Sequence, residues 1–226
     1  MIVTIDGPAG TGKTTVAKKV AEALHFPYFD TGAMYRAVTW LLLEKQIEFS
    51  DVERIEKELS HFTFIIKGEG EDKRYIVDGQ DVSQQIRSQK VTAAVSQVSA
   101  LPSVRLALWK MQHEFGKKGD AVFEGRDMGT VVFPDAEVKI FLTARPEIRA
   151  QRRLNEIIEK KSSDANEMDH DKMLAEIIRR DEYDSSRTLA PLKCADDAFI
   201  IDTSDLSIDQ VVNAILKYIK NKKKNT

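Results

Sequence analysis

Eight residues near the N-terminus, Gly7-Pro8-Ala9-Gly10-Thr11-Gly12-Lys13-Thr14, have the spacing G-x-x-x-x-G-K-[ST]. The glycines let a loop curl until its N–H groups face inward and can hold phosphate oxygens. The dipole of a following helix adds to that field. In such a cradle Lys13 reaches the β- and γ-phosphates and the Thr14 hydroxyl ligates Mg²⁺, with Thr15 closing the run. An ordinary glycine-rich turn has no need of every fixed position at once. The motif therefore implies a nucleoside triphosphate but leaves the acceptor open, because GTPases, ATPases, kinases and helicases share it.

Three charged clusters bear on the acceptor. Glu124-Gly125-Arg126-Asp127-Met128-Gly129-Thr130 begins at the end of an apolar run, where open parallel sheets bind ligands. Charged residues flanked by glycines are poor core formers there. Glu124 could hold magnesium through water or could instead pair with nearby arginines. A second cluster, Arg145 followed by Arg149, Arg152 and Arg153, has the i, i+3, i+4 spacing of one helix face. It suits the charge spread over a transferring phosphoryl group, and equally a solvated basic face. In the third, Arg180, Asp184 and Arg187 fall at i, i+4 and i+7. They can grip a phosphate and a sugar hydroxyl, or can form an ordinary surface ion-pair ladder.

The elements that must position these groups follow from periodicity. Ile2–Ile5 reads as a buried strand ending in a turn, and Val16, Ala17, Val20, Ala21 and Leu24 carry helical spacing over 13–24. A short strand at 28–30 and a helix over 33–43 come next. Alternation over 62–66, turn residues at 67–70, a strand at 74–77 and the Asp78-Gly79 turn predict a small antiparallel insertion, residues 62–90. A helix over about 92–116 with a break near Pro102 precedes strands at 121–124 and 138–142. Helices at 146–160 and 171–183, a strand at 198–201 and a helix at 207–220 complete the chain. The polar stretch 161–169 is expected to be mobile. Strands alternating with helices predict a parallel sheet covered on both faces, an α/β fold, as a single unit over 1–226.

Composition narrows the classes. The 226 residues carry a formal net charge of −2, too little for the basic field that nonspecific nucleic-acid binding needs. One cysteine, Cys194, excludes an internal disulfide and fits a reducing compartment. No apolar run is long enough for a membrane span, and the N-terminus lacks the pattern of a signal peptide. A cytoplasmic protein is expected, working as a monomer with small-molecule partners and no nucleic acid or membrane. Lys220, Lys222, Lys223 and Lys224 read as a solvated helix end, and His25, His61, His113 and His170 are scattered.

Taken together, Asp30-Thr31-Gly32-Ala33-Met34-Tyr35-Arg36, the run Gly125 to Ala136 (GRDMGTVVFPDA) and Arg187-Thr188-Leu189-Ala190-Pro191-Leu192 resemble the bacterial cytidylate kinase family. With the phosphate loop they occur in that family's order, and the likeness runs over nearly the whole chain. The resemblance implies a three-layer P-loop kinase fold with a five-stranded parallel sheet, the 62–90 insertion as the monophosphate-binding region, and a helical lid at 145–170. It implies phosphoryl transfer from ATP, with Mg²⁺, to CMP or dCMP. Arg36, Arg126 and Arg187 would hold the acceptor phosphate, and Ser96, Arg105 and Asp127 would read the cytosine edge. Arg180 and Asp184 would contact the sugar, with Thr31 and Tyr35 lining the site and Arg153 meeting the transition state from the lid. Lid and insertion are expected to close over the substrates and exclude water. Two other readings are another small-molecule kinase, for UMP, dephospho-coenzyme A or shikimate, and a nucleotide-dependent regulatory or RNA-binding switch. The lack of an Asn-Lys-x-Asp motif and of aromatics among the basic residues weighs against a GTPase and an RNA binder respectively.

Overall fold

A computed structural model describes residues 1–68, 72–159 and 169–224. The polar stretch 161–168, with the matching part of the lid, lies outside them. The chain divides into two compact units, Met1–Phe29 with Lys118–Thr226, and Asp30–Lys117.

The first unit is built on a five-stranded sheet. Its strands are β1 (Ile2–Asp6), β2 (Tyr28–Asp30), β6 (Ala121–Glu124), β7 (Val138–Thr143) and β8 (Phe199–Asp202). The order is β2-β6-β1-β7-β8, and β1 runs parallel to both its neighbours. Val3 and Ile5 are fully buried, as a central strand covered on both faces requires. Register sets Ile5 beside Glu124 and Asp6 beside Phe141, so the ends of β1 and β6 bring Asp6 and Glu124 to the same edge. Four helices surround the sheet: α1 (Lys13–Leu24), α6 (Pro146–Glu159), α7 (His170–Ser185) and α8 (Ile208–Lys224). Val16, Val20, Val122, Ile140, Val211 and Ile215 form its core.

The second unit has its own core, centred on Met34, Val38, Leu42, Ile55, Val77 and Leu108. It holds α2 (Thr31–Glu44), α3 (Val52–His61), a three-stranded antiparallel sheet and α4 (Gln89–Val98) followed by α5 (Pro102–Gly116). The sheet comprises β3 (Phe64–Lys67), β4 (Arg74–Val77) and β5 (Gln80–Asp81). Asp78 and Gly79 join β4 to β5 with φ of 48° and 87°, the two positive values a tight hairpin turn demands.

The break expected near Pro102 is present: α4 and α5 are bent by 96°, because Pro102 holds Leu101 extended and starts α5 as its first residue. Two other elements depart from the sequence reading. Helix α2 begins at Thr31 rather than Ala33, since the Asp30 side chain caps it by accepting from the Ala33 N–H at 2.9 Å. Helix α3 went unread, although Ile55, fully buried, and Leu59, packed against the same core, fall at i and i+4 on one face. No single described helix is long and apolar enough to cross a membrane; α4 and α5 pass that test only as a bent pair, and Val91, Val95, Val98, Val104 and Leu108 are buried inside the unit.

Candidate active site

The loop Gly7–Thr14 joins β1 to α1. Gly7 sits at φ 145°, and a Cβ there would come 2.0 Å from the Leu142 carbonyl oxygen, so only glycine fits. Gly12 caps α1 in the left-handed region with no side-chain bond, leaving the helix's first N–H groups for a ligand. Donors hold the carbonyl side of the loop. Thr11 Oγ1 and Lys13 Nζ donate to the Pro8 carbonyl at 3.1 and 2.6 Å. Arg149 Nη1 donates to Ala9 at 3.1 Å, and Thr203 Oγ1 to Thr11 at 3.2 Å. With its carbonyls occupied, the loop offers an anion its N–H side.

Lys13 is buried, and its ammonium is pushed down from 10.5 to about 7. Burial is the main cause, and the Arg126 and Arg180 charges add to it against the pull of Glu124 and Asp6. Glu124 faces the helix end: Thr14 Oγ1 donates to its Oε1 at 2.8 Å and Tyr28 Oη to its Oε2 at 2.6 Å. This joins Glu124 to Thr14. Two hard oxygen donors beside the phosphate loop suit Mg²⁺. Thr15 is exposed in the first turn of α1.

Behind the loop, Asp6 is buried and its carboxyl is pushed up to about 7 by burial, against two backbone N–H bonds that favour the charged form. Those bonds come from Met128 at 3.0 Å and Gly129 at 2.7 Å. The segment Met128–Val132 is a single π-helical turn directly after Asp127, whose side chain is also buried. The sequence reading missed Asp6 and Tyr28. A carboxylate ending a buried apolar strand was the available signal for the first.

Beyond Asp127, Asp184 gathers arginines. Arg126 Nε donates to Asp184 Oδ2 at 3.3 Å, and Arg187 pairs with Oδ1. Burial pushes the Asp184 carboxyl up, but Arg126, Arg187 and Arg180 outweigh it and hold it below the usual carboxylate range. Arg180 is pushed down by burial and by the Arg126 charge, only partly offset by Asp184. The Arg180–Asp184–Arg187 set is therefore a partly buried cluster and no surface ladder.

The basic face of α6 divides by task. Arg149 is buried, donating to Ala144 at 2.9 Å and to the loop while pairing with Asp181 at 2.6 Å. Arg152 donates to the Thr203 hydroxyl and carbonyl at 3.0 and 2.6 Å. Arg145 makes a two-pronged pair with Asp205. Arg153 is half-buried and pairs with Glu156 at 2.7 Å.

The other residues that the sequence reading assigns to the acceptor lie in the second unit. Arg105 is 1% exposed; it donates to the Tyr35 hydroxyl at 3.3 Å and the Ser99 carbonyl at 3.0 Å. Its guanidinium also lies over the Tyr35 and Trp109 rings, 5.4 and 5.7 Å from their centroids. Arg36 donates to the Ile86 carbonyl at 3.2 Å and Thr92 Oγ1 at 2.9 Å. Thr31 is buried in the first turn of α2, and Ser96 is half-buried on α4. Within this unit Tyr35 and Arg105 meet directly. Trp109, Ile86 and Thr92 are supports that the sequence did not single out.

The glycine loop between a central parallel strand and its helix, with buried cations and a threonine–glutamate pair beside it, defines a P-loop nucleotide-binding enzyme. A family model described as cytidylate kinase matches residues 3–221. A cytidylate kinase of Protochlamydia amoebophila is 54% identical over 218 residues, 96% of each chain. Those of Fusobacterium nucleatum and Carboxydothermus hydrogenoformans are 45% and 44% identical, covering 99% and 98% of both chains. A solved structure of an uncharacterized protein from Eubacterium ventriosum superposes with a TM-score of 0.51 at 14% identity, over 97% of this chain and 98% of that one. At that identity the likeness concerns the fold alone. The chain belongs to the cytidylate kinase family.

Proposed function

We propose that the protein transfers the γ-phosphoryl group of ATP to CMP or dCMP, releasing ADP and CDP or dCDP. One observation carries this reading beyond family membership. Lys13, Arg126 and Arg180 sit close enough to depress Lys13, and Arg126 depresses Arg180, with Asp184 the carboxylate between the arginines. Mutually repelling buried cations of this kind are costly and are relieved by phosphate.

An oxygen of the acceptor phosphate attacks the γ-phosphorus in line, and the bond to the β,γ-bridging oxygen breaks as ADP leaves. The attacking oxygen is already anionic, so no strong general base is required. Catalysis then consists of positioning and charge stabilisation. The loop N–H groups and Lys13 hold the donor, while Arg36, Arg126 and Arg187 hold the acceptor phosphate. Ser96, Arg105 and Asp127 read the base, Arg180 and Asp184 the sugar, with Thr31 and Tyr35 beside them. Arg153 is the lid residue assigned to reach the transferring group. Thr14 would hold Mg²⁺ directly and Glu124 through water; the ion would neutralise charge on the β- and γ-phosphates. The same proposal includes a cytoplasmic monomer, and light scattering tests the oligomeric part.

Asp127 selects the base in this scheme. Its carboxylate can accept from the cytosine amino group, where uracil presents a carbonyl. A coupled ADP-release assay over a panel of monophosphates should show turnover with CMP and dCMP. ATPase activity indifferent to every monophosphate would sink the reading. Asp127→Ala should lower CMP turnover far more than it alters ATP affinity, and equal CMP turnover would remove the basis for base selection.

A further inference from the structure

Asp6 ends β1 and directly precedes Gly7, the first residue of the phosphate loop. It is 4% exposed, and its carboxylate oxygens are divided between consecutive amides, Oδ1 accepting from Met128 and Oδ2 from Gly129. The same stretch also packs on Thr4 of β1, which shares a strand face with Asp6, and on Lys139 of β7, its register partner. A Cβ on Gly129 would come 2.9 Å from Thr4 Oγ1 and 3.3 Å from the Lys139 side chain. The Phe133 N–H closes the turn onto the Met128 carbonyl at 2.7 Å. The chain immediately after Asp127 is thus held by two amide bonds to Asp6, by the Phe133–Met128 bond and by the close approach at Gly129. A valine could fill a strand end as well; a buried carboxyl is an expensive choice unless both its acceptors are needed.

We infer that Asp6 is a positioning residue for acceptor choice: by gripping the Met128 and Gly129 amides it sets the Asp127 carboxylate, tying the reader of the base to the root of the phosphate loop. The inference rests on the reading of Asp127 given under Proposed function. Asp6 touches neither substrate in this scheme. Its effect reaches the acceptor through the backbone of residues 127–129, while the Pro8 and Ala9 carbonyls of the loop keep their own donors.

Asp6→Asn is the same size but keeps one good acceptor and turns an NH₂ toward the other amide. Steady-state kinetics should show KM for CMP raised about tenfold or more, the loss expected for one hydrogen bond to a charged group. The CMP-over-UMP ratio of kcat/KM should narrow by a similar factor, while KM for ATP stays within about threefold. A role in strand packing alone would not separate the two bases. Equal rises in both KM values, or an unchanged CMP-over-UMP ratio, would overturn the inference. Asp127→Ala run in parallel separates the two claims. If it leaves CMP use intact, the reading of Asp127 fails; if it impairs CMP use and Asp6→Asn does not, the Asp6 inference fails. Should Asp6→Asn fail to fold, Gly129→Ala displaces the same amides from Asp6. It should reproduce the CMP-selective defect, and unchanged kinetics there would count against the inference.

Discussion

Lys13 should destabilise the protein it serves. In the absence of nucleotide the Nζ is buried, donates to the Pro8 carbonyl at 2.6 Å, and shares its surroundings with Arg126 and Arg180. Lys13→Met keeps the length of the stem and removes the charge. The fall from 10.5 to about 7 corresponds to at most about 5 kcal/mol of burial cost. Relaxation and the lost hydrogen bond reduce the expected gain to about 1–3 kcal/mol. The sign with pH is fixed. The folded group keeps its proton below pH 7 and sheds it above, whereas the unfolded group stays charged to 10.5. The penalty is therefore full below pH 7 and shrinks as pH rises through that value. Urea unfolding followed by far-ultraviolet circular dichroism, without nucleotide, should find Lys13→Met the more stable at neutral pH. Its advantage should narrow by about pH 9.5. ATP should stabilise the parent protein far more than the variant, because only the parent can return the full charge to a bound triphosphate. A variant less stable than the parent at pH 7, or an advantage constant with pH, would refute the electrostatic reasoning.

Two further outcomes follow from single side chains. Gly7→Ala places a methyl 2.0 Å from the Leu142 carbonyl at φ 145°, so it should destabilise the first unit by roughly 3 kcal/mol or more and abolish ATP binding, as calorimetry would show. Asp184→Asn leaves Arg126, Arg180 and Arg187 repelling one another and should cost about 3 kcal/mol at neutral pH. Because the folded Asp184 carboxyl lies below its ordinary 3.8, that stabilisation is complete above 3.8 and disappears as pH falls below it. The gap in denaturant midpoint between parent and variant should accordingly close in acid; a gap that persists there would show that charge pairing was not its source.

Local spacing was enough for the phosphate loop. The glycines, Lys13 and Thr14 act through backbone geometry that eight consecutive residues dictate, and the alternation of strands and helices announced the parallel sheet. The small hairpin was equally legible because Asp78-Gly79 defines its own turn. The break at Leu101–Pro102 was legible from the proline itself, whereas helix α3, with Ile55 its fully buried residue, went unread. The clusters around Glu124, Arg149 and Asp184 could each be read two ways, because spacing on a helix face does not say what stands opposite. Tertiary structure supplies those partners. Parallel register brought the end of β6 beside β1 and set Glu124 against Thr14. Packing of α6 and α7 buried Arg149 against the loop and Asp181. The Asp6 grip on residues 128–129 spans more than a hundred positions of chain, beyond the reach of any local pattern. Burial then did what spacing cannot: it turned ordinary charges at Lys13, Arg180 and Asp184 into groups whose proton affinities depend on one another.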